Sequence, residues 1–74
     1  MTTEKDFLGF VAGILEVPAE SLSLETAYES IPQWDSVMQL RLVLELSGEY
    51  GVEIPVDEIA DIKTLSGFFK YVSA

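Results

Sequence analysis

One serine in this 74-residue sequence stands where chemistry could be placed at the start of a helix. Ser36 lies in the segment 34–37 (Trp-Asp-Ser-Val), and seven of the ten residues from 37 to 46 are apolar. Such a density is typical of a helix that contacts several neighbours. The hydroxyl of Ser36 therefore has two possible uses. It caps free backbone N–H groups, or it is displayed for modification where those N–H groups favour an attached phosphate.

The capping interpretation of Ser36 has independent support. Ser36 and Gln39 have the spacing of a capping box, and Asp35 is also a residue type that caps helices. The Asp-Ser dipeptide alone therefore does not decide between a structural serine and a modified one.

Other site chemistry is limited by composition. The sequence has no cysteine and no histidine, which excludes a disulfide framework, the usual zinc sites and an internal Ser-His or Cys-His pair. Glu20, Glu25 and Glu29 are too dispersed for a calcium loop, whose ligands converge around a glycine. We expect no metal site and no catalytic residue in this chain.

The charge balance indicates the class of partner. Four basic residues and thirteen acidic residues give a formal net charge of −9, which repels nucleic acids and anionic membranes and attracts proteins with basic patches. The apolar runs are short for a membrane span, and the N-terminus does not resemble a secretion signal. We expect one domain spanning residues 1–74, working as a cytoplasmic monomer.

The periodicity predicts the elements that position Ser36. A first helix over residues 3–16 is capped by Thr2 or Thr3, and a second runs from Ser36 to Tyr50 and ends near Gly51. A short helix follows Pro55, and Thr64 caps a last helix. The long connection 17–35 should be pinned to the core by spaced apolar residues. The prediction is an all-α bundle of three longer helices and one short helix.

The predicted second helix has two different faces. The spacing assigns one group to the core and a second group to the opposite side, which is either covered by another helix or forms a docking surface. In the short helix we expect three residues to face inward. The core group is Leu42, Val43, Leu46 and Tyr50; the opposite group is Val37, Arg41, Leu44 and Gly48; the inward group of the short helix is Val56, Ile59 and Ala60.

Three segments together resemble the acyl carrier protein family. Residues 34–38 (Trp-Asp-Ser-Val-Met) resemble the Asp-Ser-Leu or Asp-Ser-Met signature at the start of the family's second helix. Residues 50–55 (Tyr-Gly-Val-Glu-Ile-Pro) and 62–65 (Ile-Lys-Thr-Leu) match two later phrases in order and spacing. The similarity covers residues 31 to 69, and the first helix fits by position and amphipathicity.

The resemblance implies a function that the residues alone leave open. It implies that Ser36 accepts 4′-phosphopantetheine from coenzyme A through a separate phosphopantetheinyl transferase, with Asp35 as a contact for that enzyme. Acyl or aminoacyl groups would travel as thioesters between a loading enzyme and downstream synthases or transferases with basic docking patches. The docking candidates are Val37, Met38, Arg41, Leu44 and Glu45, and the supporting acids are Glu45, Glu49, Glu53, Asp57 and Glu58.

Two features differ from the carriers of bacterial fatty acid synthesis. Trp34 replaces the usual small residue before Asp-Ser, and Arg41, Ser47 and Gly48 lie on or near a face that is usually acidic. The sequence is similar to stand-alone carriers of polyketide, nonribosomal-peptide or related antibiotic pathways. The alternatives are a fatty acid synthesis carrier and an unmodified acidic adaptor that binds basic proteins.

Overall fold

The computed structural model describes residues 3–73 as a helical bundle. A long connection containing a single 3-10 turn (Ala19–Ser21) separates the first two helices, whereas a short loop joins the second helix to the third. Three longer helices and one short helix confirm the predicted fold class. None of the helices in the described residues is long and apolar enough to cross a membrane. The helices are α1 (Glu4–Leu15), α2 (Ser36–Tyr50), α3 (Val56–Ile59) and α4 (Leu65–Ser73).

Helix α1 begins and ends at local signals in the sequence. Thr3 is the cap, and its hydroxyl accepts a hydrogen bond from the Asp6 N–H at 3.1 Å. The other predicted cap, Thr2, lies outside the described residues. Glu16 adopts a left-handed conformation (φ 60°) and donates its N–H to the Ala12 carbonyl. Pro18 follows closely, as expected where a helix has ended.

The buried side chains form one cluster between the helices. Trp34, Phe7 and Phe68 are completely buried, as are Leu42 and Leu46 of α2. The predicted core face of α2 is therefore confirmed at its centre, while Val43 and Tyr50 are half-buried and pack on its edge. The other buried apolar residues are Val11, Ala12, Ile14, Leu15, Leu22, Ile54, Ile62, Leu65 and Val72.

The long connection is fastened to the beginning of α4 by backbone hydrogen bonds. Leu65 donates its N–H to the Thr26 carbonyl at 3.1 Å, and Ser66 donates to the Leu24 carbonyl at 2.9 Å. The prediction that the Thr64 hydroxyl caps α4 is therefore wrong. Its hydroxyl lies 2.6 Å from the Ser66 hydroxyl. The N–H groups that a cap would serve are already bonded, because Ser66 donates to Leu24 and Gly67 donates to the backbone carbonyl of Thr64.

Helix α3 differs from the prediction in the direction of its apolar residues. Val56 is 84% exposed and Ala60 is also exposed, so the inward assignment holds only for Ile59, which is half-buried. The physical reason is length, because a single turn offers too few positions for an apolar stripe. The segment is instead fixed at its two sides by buried Ile54 and Ile62.

Candidate functional site

The beginning of α2 is capped by Asp35 and not by Ser36. Asp35 has an extended backbone (φ −113°, ψ −171°), and its carboxylate accepts a hydrogen bond from the Met38 N–H at 2.9 Å. The Asp35 carbonyl accepts from the Gln39 N–H at 2.8 Å. Ser36 is the first residue inside the helix and is exposed. The capping box between Ser36 and Gln39 and the capping role of Ser36 are therefore wrong.

The position of Ser36 suits a covalently attached phosphate. The first N–H groups of a helix have no partner within the helix, and the helix dipole adds positive potential there. Asp35 satisfies the N–H of Met38, and the exposed Ser36 lies at this same end of α2. A phosphodiester on Ser36 would lie at the end of the helix that favours an anion.

An apolar groove of about 440 Å³ begins beside Ser36. Ser36, Gln39 and Leu40 of α2 form one side of it. Val56, Ile59 and Ile62, from α3 and the link that follows, form the other side. A larger groove of about 780 Å³ lies over α3 and α4 among charged side chains and does not include Ser36. The groove beside Ser36 therefore has the chemistry to contact apolar parts of a group attached there.

Gln39 is the residue near Ser36 that sequence reasoning misassigned. Its side chain is buried, and its Oε1 atom accepts a hydrogen bond from the Trp34 indole N–H at 2.6 Å. Its Nε2 atom donates to the carbonyls of Ile59 at 3.1 Å and Ile62 at 3.3 Å. The helical spacing of Gln39 with Leu42 and the other core residues of α2 was the available signal, because it places this amide on the inward face.

Trp34 fixes the loop that precedes the serine. Its ring contacts Tyr28 edge to face, with ring centroids 5.7 Å apart, and lies 6.4 Å from the ring of Phe68 in α4. Such aromatic contacts and complete burial make this side chain an anchor for the loop. The structure thus confirms that the connection is pinned to the core and explains why Asp35 and Ser36 occupy a defined position.

The second face of α2 is uncovered by any helix of the described chain. Val37 is 72% exposed and Leu44 is 73% exposed, and Arg41, Glu45 and Gly48 are exposed as well. Met38 differs, because it is half-buried and packs partly against the core. Leu40 was not among the docking candidates, although it is 57% exposed and borders the groove. The acids predicted to support docking, Glu49, Glu53, Asp57 and Glu58, are exposed.

Comparison with known proteins agrees with this geometry. The family model described as "Phosphopantetheine attachment site" matches residues 5–72. An acyl carrier protein from Thermobifida fusca is 28% identical in an alignment that covers 95% of this chain and 94% of the relative. One from Lactobacillus acidophilus is 31% identical over 64 residues, covering 86% and 80%. One from Rickettsia prowazekii is 32% identical in an alignment that covers 80% of this chain and 77% of the relative.

The family match determines the kind of protein and the group it bears. Members are partners of phosphopantetheinyl transferases and of acyl-processing enzymes, and they carry a covalently attached 4′-phosphopantetheine group. The exposed serine, the anion-favouring helix end and the adjoining apolar groove fit such a group. The chain belongs to the acyl carrier protein family, and it is a carrier that enzymes act upon and not itself a catalyst.

Proposed function

We propose that Ser36 is the attachment residue and that the chain is a discrete carrier of acyl or aminoacyl groups. The observation that carries this proposal is the separation of two roles at the start of α2. Asp35 performs the capping, with its carboxylate 2.9 Å from the Met38 nitrogen. Ser36 is exposed, so its hydroxyl is available to a modifying enzyme.

The residues around Ser36 have separate tasks in this proposal. When bound, the arm supplies the terminal thiol that this cysteine-free chain lacks and on which groups are carried as thioesters. Transfer joins the Ser36 oxygen to the phosphorus of the phosphopantetheine unit, breaks the pyrophosphate bond of coenzyme A, and releases the hydroxyl proton and the adenosine bisphosphate. The end of α2 then holds the phosphodiester in a favourable potential, and Asp35 contacts the transferase.

The uncovered face of α2 is the proposed docking surface for partner enzymes. It consists of apolar side chains close to Ser36, with charged residues at its margin, and this composition suits transient recognition. The surrounding acids attract enzymes with basic patches, and Arg41 is expected to select among them. The proposed contact residues are Val37, Met38, Arg41, Leu44 and Glu45.

Polyketide, nonribosomal-peptide or related natural-product biosynthesis is the proposed pathway. Its support is Trp34, which is wholly buried before the Asp-Ser pair, and Arg41, which is exposed on the docking face. Fatty acid synthesis is the alternative pathway for the same carrier chemistry. The proposal further includes a single carrier domain of residues 1–74, a monomeric state and a cytoplasmic location. Size-exclusion chromatography tests the monomeric state, and fractionation of the native host tests the location.

Intact-mass measurement tests the attachment residue. The protein is incubated with coenzyme A and a phosphopantetheinyl transferase of broad specificity. The wild type should gain one phosphopantetheine unit, as should the matched control Ser30→Ala, which removes another exposed serine. Ser36→Ala should gain none. An unchanged wild-type mass with several transferases would favour the unmodified acidic adaptor.

The role of Arg41 is tested by reversing its charge. Arg41→Glu should change turnover by natural-product and fatty acid enzymes in opposite directions, because it alters the field of the docking face with little effect on folding. Lys70→Glu is the matched control, because it makes the same charge change at an exposed position of α4. Equal effects of the two variants on every enzyme would contradict a role for Arg41 in partner choice.

A further inference from the structure

The Gln39 side chain joins three segments that meet beside Ser36. Its Oε1 atom accepts a hydrogen bond from the indole N–H of Trp34, in the loop before α2. Its Nε2 atom donates hydrogen bonds to the carbonyl of Ile59 at the end of α3 and to that of Ile62 in the α3–α4 link. We propose that Gln39 is a positioning residue that clamps α3 in place as one wall of the groove beside Ser36. The hydrogen-bonded clamp stands on the geometry alone, whereas its relevance to a carried group rests on the proposed function.

The chemistry of the three partners determines the orientation of the amide. An indole N–H can only donate, and backbone carbonyls can only accept, so the carbonyl oxygen of Gln39 must face Trp34 and its NH₂ group must face α3. All the hydrogen-bonding atoms of the side chain that are buried have partners in the described residues. A buried network of this kind is costly to break, because each group that loses its partner also lacks water.

Helix α3 has few other contacts to hold it. It is one turn long, contains no buried residue, and follows Pro55, which makes no side-chain capping hydrogen bond. Outside the clamp it is held by buried Ile54 and Ile62 on its two sides, by apolar contacts of half-buried Ile59, and by a hydrogen bond that the Tyr71 hydroxyl donates to the exposed Glu58 carboxylate. An element with so little burial is prone to local opening. The hydrogen bonds of Gln39 add a direct polar link between α2 and the end of α3.

The position of α3 determines the shape of the groove. Gln39 and Leu40 line it from α2, while Val56 and Ile59 line it from α3. If α3 moved away from α2, the two walls would separate and the groove beside Ser36 would widen. The clamp thus presents a preformed wall to a group attached at Ser36 and avoids the entropy cost of ordering that wall at each encounter.

Site-resolved hydrogen exchange of the unmodified protein tests the clamp. The probes are the N–H groups of Asp61 and Ile62, which donate within the α3 region to Glu58 at 3.1 Å and Ile59 at 3.2 Å. Gln39→Met keeps the length of the side chain and removes every hydrogen bond it makes. We expect exchange at both probes to become about tenfold faster or more, since the loss of one hydrogen bond has roughly that effect.

A control separates local release from a general loss of stability. Val72→Ala removes buried methyl groups near the end of α4 and should lower global stability without touching the clamp. When each variant is measured the same number of degrees below its own melting temperature, the Asp61 and Ile62 N–H groups should exchange faster in Gln39→Met than in Val72→Ala. Equal rates would overturn the proposal. If Gln39→Met does not fold, Gln39→Asn serves instead, because its shorter side chain keeps an amide that cannot reach α3.

Failure of the clamp and failure of the proposed function give different results. A wild type that is modified at Ser36, together with unchanged exchange in the Gln39 variants, overturns the clamp alone. Faster exchange in those variants, together with a wild type that no transferase modifies, supports the clamp and overturns the proposed function.

Discussion

Alanine substitution at Asp35 and at Ser36 should have different consequences for folding. Asp35 makes the capping hydrogen bond to Met38 at 2.9 Å, whereas Ser36 lies one residue inside the helix and is exposed. Asp35→Ala should therefore destabilise the protein, and Ser36→Ala should leave it folded and abolish modification.

The structure sets the expected magnitudes. Loss of an N-cap costs about 0.5–2 kcal/mol, and a negative charge near a helix N-terminus contributes a further 0.3–1 kcal/mol or so. We expect Asp35→Ala to cost about 1–2 kcal/mol, which lowers the melting temperature by roughly 4–8 °C per kcal/mol in a domain of this size. Ser36→Ala should change the unfolding free energy by less than about 0.5 kcal/mol, because alanine is the better helix former.

Urea and thermal unfolding followed by circular dichroism measure both effects. Asp35→Asn is the matched control, because it keeps a capping oxygen and removes the same charge as Asp35→Ala. The difference between these two variants isolates the capping hydrogen bond and should be close to 1 kcal/mol or so. If Ser36→Ala proves as destabilising as Asp35→Ala, the serine is the structural cap and the assignment of roles at this helix is wrong.

Three further predictions concern the rest of the domain. Gly13→Ala should raise the unfolding free energy by about 0.5–1 kcal/mol, because the new methyl group on α1 meets open space. Gly67→Ala should give no such gain, since its Cβ would lie 2.9 Å from the Ile62 Cγ2 atom. Equal gains in unfolding free energy for the two variants would refute this reasoning. The hydrogen bond to the Glu58 carboxylate raises the pKa of the Tyr71 phenol above its ordinary value of 10.0. This hydrogen bond therefore stabilises the fold fully below pH 10, and the stabilisation is lost as the pH rises through the pKa of Tyr71 in the folded protein. As the pH rises above about 10, the melting temperature of the wild type should therefore fall more steeply than that of Tyr71→Phe, and parallel curves would exclude the effect. Added salt should raise the melting temperature by screening the charge of −9, and a flat response would contradict that self-repulsion.

The bounds of α2 could be predicted because its signals are local. Asp35 and Ser36 mark the beginning of the helix, and Gly51 adopts the left-handed conformation (φ 64°) that a helix end favours. The 3.6-residue period likewise separated buried Leu42 from exposed Leu44. These features depend on neighbours within one or two turns, and the sequence contains those neighbours in order.

The features that sequence reasoning missed depend on partners far along the chain. Gln39 resembles a capping-box residue within its own turn, but its amide NH₂ group donates hydrogen bonds to carbonyls 20 and 23 residues away. Thr64 has the residue type of a cap, but the carbonyls of Leu24 and Thr26 accept hydrogen bonds from N–H groups at the start of α4. Val56 was assigned inward because apolar type alone does not specify direction in a one-turn helix. In each case tertiary contacts replaced the local alternative.

The buried indole beside the proposed attachment residue gives the molecule an intrinsic optical reporter. Trp34 is the only tryptophan in the sequence and lies two positions before Ser36. Its ring is wholly shielded from solvent, and its nitrogen is bonded to the amide that holds α3. Indole emission moves to longer wavelengths when water reaches the ring. The fluorescence spectrum of the unlabelled protein would therefore follow any loosening of this corner during loading, docking or delivery.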